Sequence, residues 1–189
     1  MFATRFFVPF LAFTGLAVYA SPVEIEKRAA DVSSVLSVIS NLQGSTSTIL
    51  PQLNNLVSEK KATAASVTPL IQELISSLNT ASTSLHTFGA VRNTGGTQQD
   101  VANAFAPIAS DIATTLASVQ VVVPGLSGLL GGLLGGILVD VDVALNEVLL
   151  GLDIVLAGVL ALVSGLLFDV AGLLTGLGFA LSILTLGLL

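Results

Sequence analysis

The sequence predicts an all-α protein, a small helical bundle followed by hydrophobic Gly/Leu-rich helices or helical hairpins. Three observations predict it. Between residues 29 and 119 the apolar side chains recur at i, i+3, i+4 and i+7 instead of alternating, which is the period of an amphipathic helix. From Gln120 to Leu189, 23 of the seventy positions are leucine and 13 are glycine, and none is lysine or arginine. Along that tail Ala144, Gly151, Gly158, Gly165 and Gly172 lie seven residues apart, two helical turns, so on one continuous helix they would form a single stripe of small residues.

The N-terminus reads as a secretory leader. Arg5 supplies a positive start, Phe6 to Val18 an apolar stretch, and Val18-Tyr19-Ala20 a small-residue cleavage signal after Ala20. The apolar run is short for a bilayer span of about 20 residues and contains Pro9. Lys27-Arg28 is a dibasic pair of the kind kexin-like proteases cut, so the expected order is a signal peptide (1–20), a propeptide (21–28), a Ser/Thr-rich helical domain (29–119) and a hydrophobic region (120–189).

Four apolar stripes follow. Val32, Val35, Leu36, Ile39 and Leu42 form the first, with Gly44 as its expected stop. The second, Ile49, Leu50, Leu53, Leu56 and Val57, runs up to the charged Glu59-Lys60-Lys61. The third carries Val67, Leu70, Ile71, Leu74, Ile75, Leu78, Ala81, Leu85 and Phe88, with Thr68 before Pro69 as the expected N-cap and Gly89 or the Asn93-Thr94-Gly95-Gly96 stretch as its end. The fourth, Val101, Phe105, Ile108, Ile112, Leu116 and Val119, contains Pro107, which predicts a kink or a restart. Such stripes bury one another or fold in part against the tail.

Pro124 and the run Gly125 to Gly136 separate the halves. Gly128, Gly132 and Gly136 repeat every four residues, as in a close helix contact, while the paired glycines read equally well as a hinge. One helix from Ile137 to Ile183 would be improbably long, so breaks are expected near Gly151 to Asp153, near Ser164-Gly165, and at Gly176-Leu177-Gly178. On an ideal helix Asp140, Glu147 and Asp169 share the small-residue stripe, while Asp142, Asn146, Asp153, Ser164, Thr175 and Ser182 form a second polar line.

Composition narrows the function. Residues 29–189 carry ten acidic and three basic side chains, which argues against a nucleic-acid partner. With no cysteine, the chain has no disulfide scaffold, thiol chemistry or cysteine-ligated zinc. No Asn-x-Ser/Thr acceptor is present, although many serines and threonines precede Val119. His86 is the one histidine, no nucleophile or metalloprotease motif accompanies it, and no enzyme activity is expected. Asp140, Asp142, Glu147 and Asp153 do not follow the spacing of a calcium loop, so neither metal nor cofactor is expected. The carboxylates should instead draw their segments toward water. The rival reading is a membrane protein of the secretory pathway, since Val121 to Val139 and Val170 to Leu189 are long enough by count to span a bilayer; the second has no basic flank.

A signal peptide, a dibasic site, a Ser/Thr-rich helical half and an apolar Gly/Leu half together resemble the small secreted surface proteins of mushroom-forming fungi, which coat aerial hyphae and aid attachment. Absence of cysteine separates the chain from the hydrophobins. The N-terminal half also resembles, more faintly, helical cell-wall mannoproteins that bind hydrophobic surfaces. The resemblance implies a structural role in the cell wall or matrix, with cell-wall components and hydrophobic surfaces as partners. From the residues themselves we expect the tail to adsorb through its leucine face and to self-associate through its glycines. Gly151, Gly158, Gly165, Gly172, Leu152, Leu156, Val159 and Leu166 are the expected interface residues, and the air–water boundary is one expected surface.

Overall fold

A computed structural model of the protein describes residues 31–89, 97–123 and 135–188. The leader, the Ala20 and Lys27-Arg28 processing positions, and Gly128 and Gly132 lie outside the described residues. The described chain is all-α: α1 (Val32–Ser58), α2 (Ala64–Thr87), α3 (Gln98–Val122), α4 (Gly135–Val155), α5 (Val159–Leu167), α6 (Ala171–Leu177) and α7 (Ala180–Leu186), with a 3₁₀ turn, Phe168–Val170, between α5 and α6.

The first two apolar stripes are one helix. α1 passes through both Gly44 and Pro51, and its buried residues Val32, Val35, Ile39, Leu42, Thr46, Ile49, Leu50 and Leu53 stay on one face. Thr46 is the joint: it keeps the three-four spacing between Leu42 and Ile49, and its hydroxyl donates to the Gln43 carbonyl at 3.1 Å, so burial leaves it hydrogen-bonded. Gly44 costs a helix interior about 1 kcal/mol, too little to stop a helix held by seven packed neighbours on its face.

α1 ends in a left-handed cap. Lys60 has φ 55, Lys60 N–H donates to the Val57 carbonyl, and Lys61 N–H reaches back to the Leu56 carbonyl, the paired bonds of a Schellman motif.

α2 begins five residues earlier than Thr68-Pro69 suggested. Its N-cap is Thr63, whose hydroxyl accepts from Ser66 N–H while the Ser66 hydroxyl accepts from Thr63 N–H. Thr68 turns its hydroxyl to the Ala64 carbonyl instead, and Pro69 sits within the helix. α3 has the same device at Thr97 and Asp100 and continues without restart through the exposed Pro107. Its six expected core residues, Val101, Phe105, Ile108, Ile112, Leu116 and Val119, are all buried.

The tail is part of the same core. α1 packs on α2 and α3; α2 packs on α4; α3 packs on α5 and α6; and α7 lies against α4, α5 and α6. One continuous apolar cluster runs from Val32 to Leu186. Two side chains of α3 tie the later helices to it: Gln98 Nε2 donates to the Ala157 carbonyl at 2.7 Å and Gln120 Nε2 to the Gly176 carbonyl at 3.4 Å. Bonds at both ends set the 157–176 stretch alongside α3 in the same direction.

The breaks in the tail differ from expectation at two of three places. Gly151 to Asp153 and Ser164-Gly165 lie inside helices; the chain turns instead at Leu156-Ala157-Gly158 and at the 3₁₀ turn. At the third, Gly178 has φ 79 and closes α6 with Phe179 N–H on the Leu174 carbonyl, as the Gly176-Leu177-Gly178 spacing suggested.

Candidate functional site: an apolar surface confined to the tail

Among the described residues every large hydrophobic side chain that remains exposed lies between Val121 and Leu184. α1 and α2 contribute none. Val121 and Val122 end α3; Val139, Val143, Leu150 and Ile154 lie on α4; Leu166, Phe168 and Leu173 lie on α5, the 3₁₀ turn and α6; Leu181 and Leu184 lie on α7. Phe168 is 73% exposed and Leu184 68% exposed, values unusual for side chains of this size.

On α4 these residues form a ridge. At about 100° per residue, Val139, Leu150, Val143 and Ile154 fall within roughly 60° of one another. The opposite side of α4, Val141, Ala144, Leu145, Val148, Leu152 and Val155, is buried in the core. The helix therefore carries two apolar sides parted by polar lines, Asp142, Asn146 and Asp153 along one and Asp140 and Glu147 along the other, and the outer apolar side is exposed.

α7 is fixed beside this ridge by polar bonds. Asp142, 3% exposed, accepts from the backbone N–H of Leu181 and Ser182 at 2.9 Å each, and from the Ser182 hydroxyl at 2.6 Å. One turn along, the Thr185 hydroxyl donates to Asn146 Oδ1. Asp142, Asn146 and Ser182 were legible as one polar line on a single long helix; the fold brings the ends of that line together by folding α7 back on α4.

The remaining acidic groups of the tail, Asp140, Glu147, Asp153 and Asp169, are exposed. The ion pair found among the described residues, Lys61 to Glu59 at 2.8 Å, is on the surface of the N-terminal half.

The residues singled out as an interface divide. Leu152, Leu156 and Val159 are core, at 0%, 3% and 0% exposed, so they cannot be the adsorbing face of this fold; Leu166, at 47%, is exposed. The glycines do not share one face. Gly151 packs against α2, where an added Cβ would stand 3.0 Å from Leu85 Cβ; Gly158 is left-handed in the turn between α4 and α5, at φ 89; Gly165 and Gly172 lie exposed with open space around them. The stripe existed only on an unbroken helix, and the turn at Leu156-Ala157-Gly158 dissolves it. The exposed residues Val139, Val143, Ile154 and Phe168 were missed because a stretch apolar on both sides does not reveal which side the core takes.

The run from Val170 onward, long enough by count to cross a bilayer, is divided by Gly178 into two seven-residue helices. Among the described residues two helical stretches do have the length and apolarity for a span: α3, which is a core helix, and 159–177, of whose most apolar window 22% is buried.

The N-terminal half presents a different surface. A groove between α1 and α2 of about 170 Å³ is lined by Asn41, Ser45, Ser76, Ser77, Thr80 and Ser84 among others, and one between α1 and α3 of about 410 Å³ by Gln43, Ser47, Asn54, Asp111 and Thr114. His86 is exposed, and its Nδ1 lies 2.9 Å from the Ser82 carbonyl and 3.2 Å from the Ser82 hydroxyl, contacts within its own helix. In the last turn of α2 it sits at the negative end of the helix dipole.

The chain matches no protein-family profile. Over 120 residues it is 32% identical to fruiting body differentiation protein 16 of Flammulina velutipes, an alignment covering 62% of this chain and 93% of that protein. With nearly the whole of that mushroom protein matched at this identity, the chain belongs to the same family as fruiting body differentiation protein 16.

Proposed function

We propose that this protein is a secreted, surface-active structural protein that adsorbs at boundaries between water and an apolar phase in the fungal wall and matrix, where it coats or attaches. The observation that carries this reading is the confinement, among the described residues, of every exposed large hydrophobic side chain to residues 121–184, against a hydroxyl- and amide-rich surface on α1 and α2. Such a molecule joins a polar N-terminal surface to a tail with exposed apolar side chains. Kinship with a fruiting-body protein supports a place in the aerial tissue of a mushroom-forming fungus.

The energies suffice. A valine, leucine, isoleucine or phenylalanine fully taken out of water contributes about 1.5–3 kcal/mol, so eleven side chains already 38–83% exposed contribute on the order of 10 kcal/mol on leaving water together. That corresponds to adsorption at roughly tens of nanomolar before orientation costs are deducted.

Surface tension measured by pendant drop tests it. The protein should lower the tension of water at submicromolar concentration, and the variant Val139→Ser/Val143→Ser/Leu150→Ser/Ile154→Ser should do so far less while keeping its helical circular dichroism. An unchanged tension in a folded variant would remove α4 from the adsorbing face. Recovery of the native chain from detergent-free medium or wall extracts, beginning at Ala29, tests secretion; confinement to detergent-solubilised membranes would sink it.

A further inference from the structure

The exposed carboxylates of the tail border its exposed apolar surface. At about 100° per residue the α4 ridge of Val139, Val143, Leu150 and Ile154 is flanked by Glu147 and Asp140 on one side and by Asp153 on the other, while Asp169 directly follows the exposed Phe168. None of the four carboxylates is in an ion pair among the described residues. No lysine or arginine occurs from Gln120 to Leu189 to offset them. An apolar face with an acidic rim and no cation is the reverse of the basic amphipathic surface that binds acidic membranes.

We infer that this face accepts an uncharged apolar boundary and rejects an anionic phospholipid bilayer. The inference rests on the adsorption reading above and names the surface that reading leaves open. The field of an acidic leaflet that attracts each nearby lysine or arginine repels each carboxylate, about fivefold in affinity per charge. The three carboxylates beside the α4 ridge therefore weaken binding to such a leaflet on the order of a hundredfold at low salt, an effect that shrinks as the Debye length falls from about 30 Å at 0.01 M to about 3 Å at 1 M. An uncharged surface carries no such field, and rim carboxylates there stay in water while the ridge enters the apolar phase. A second copy brings a second acidic rim, so charge opposes pairing of two such faces.

The test is co-flotation of the purified protein with three probes: triolein droplets stabilised by phosphatidylcholine, phosphatidylcholine vesicles with one third phosphatidylglycerol, and the same vesicles with one third of a cationic lipid. The expected result at low salt is strong binding to the droplets and the cationic vesicles, with binding to the anionic vesicles weaker on the order of a hundredfold. The variant Asp140→Asn/Glu147→Gln/Asp153→Asn/Asp169→Asn, altered at exposed positions alone, should bind the anionic vesicles nearly as well as the others. Equal binding of the unaltered protein to all three probes would overturn the charge selection and leave adsorption standing. Binding to none would overturn both. A stable dimer in surface-free solution that the α4 serine variant abolishes would assign the face to a second copy and overturn the inference as well.

Discussion

Asp142 caps a helix to which it does not belong: its two carboxylate oxygens take the N–H groups of Leu181 and Ser182, the second and third residues of α7. α7 has no side-chain cap of its own, since Phe179 stands at its N-cap. An N-cap side chain ordinarily supplies such bonds, and here a residue about forty positions earlier supplies them. Replacing Asp142 by Ala leaves the buried Ser182 N–H unpaired and its hydroxyl with the residue-142 carbonyl alone, at 3.4 Å, so we expect a loss of about 2–3 kcal/mol of stability. Hydrogen exchange should show α7 opening first, ahead of α2. Equal exchange of α7 in variant and parent would show that packing alone holds it.

Leu152 and Ile154 stand two residues apart on α4 with opposite surroundings, one 0% and the other 55% exposed. Leu152→Ala should cost about 3 kcal/mol, the range for emptying a leucine site in a packed core. Ile154→Ser should cost well under 1 kcal/mol and yet slow adsorption. Chemical denaturation and drop tensiometry on both variants check the pair. A stability loss from Ile154→Ser as large as that from Leu152→Ala would mean that α4 is covered on both sides within the monomer.

The same pair shows where the sequence was readable and where it was not. The core of α3 was legible residue by residue because its apolar positions are separated by polar ones, and period alone fixes the face. In α4 valine and leucine occupy both faces, so the hydrophobic pattern cannot say which side meets α2. The length of α1 was hidden by Thr46, a polar residue doing an apolar residue's packing. The bond between Asp142 and Ser182 joins residues whose proximity depends on the turns at Gly158, at Phe168–Val170 and at Gly178, and nothing local to either residue signals it. The exposed apolar ridge was thus foreseen as a property of the tail and misassigned to Leu152, Leu156 and Val159.

The tail glycines separate by environment. Gly165 and Gly172 lie in helices with open space where a Cβ would go, so alanine there should stabilise by about 0.5–1 kcal/mol each through helix propensity. Gly151→Ala meets Leu85 Cβ at 3.0 Å and should destabilise. Gly178→Ala should also destabilise, by about 1–2 kcal/mol, because φ 79 is costly for any side chain. Thermal melts of the four single variants check the order. Destabilisation at Gly165 and Gly172 would mean that these positions are packed in solution, against another copy or another part of the chain.

Acid should loosen the starts of α1 and α3 before it reaches the core. The Asp31 carboxyl is held below its ordinary value of 3.8 by the Ser33 hydroxyl, then by the hydroxyl and backbone N–H of Ser34. The Asp100 carboxyl is lowered from the same value by the Thr97 backbone N–H and then by its hydroxyl. Each group binds protons more weakly folded than unfolded, so its contribution is complete above the unfolded value of about 4 and is lost as pH falls through the lowered folded value. Stability should therefore decline with acid chiefly below pH ~4. In Asp31→Ser/Asp100→Asn, which keeps a hydrogen-bonding oxygen at each cap but removes the titrating group, that decline should be shallower. Melting temperatures from pH 2 to 7 test it, and parallel curves for variant and parent would mean that neither cap is coupled to global unfolding.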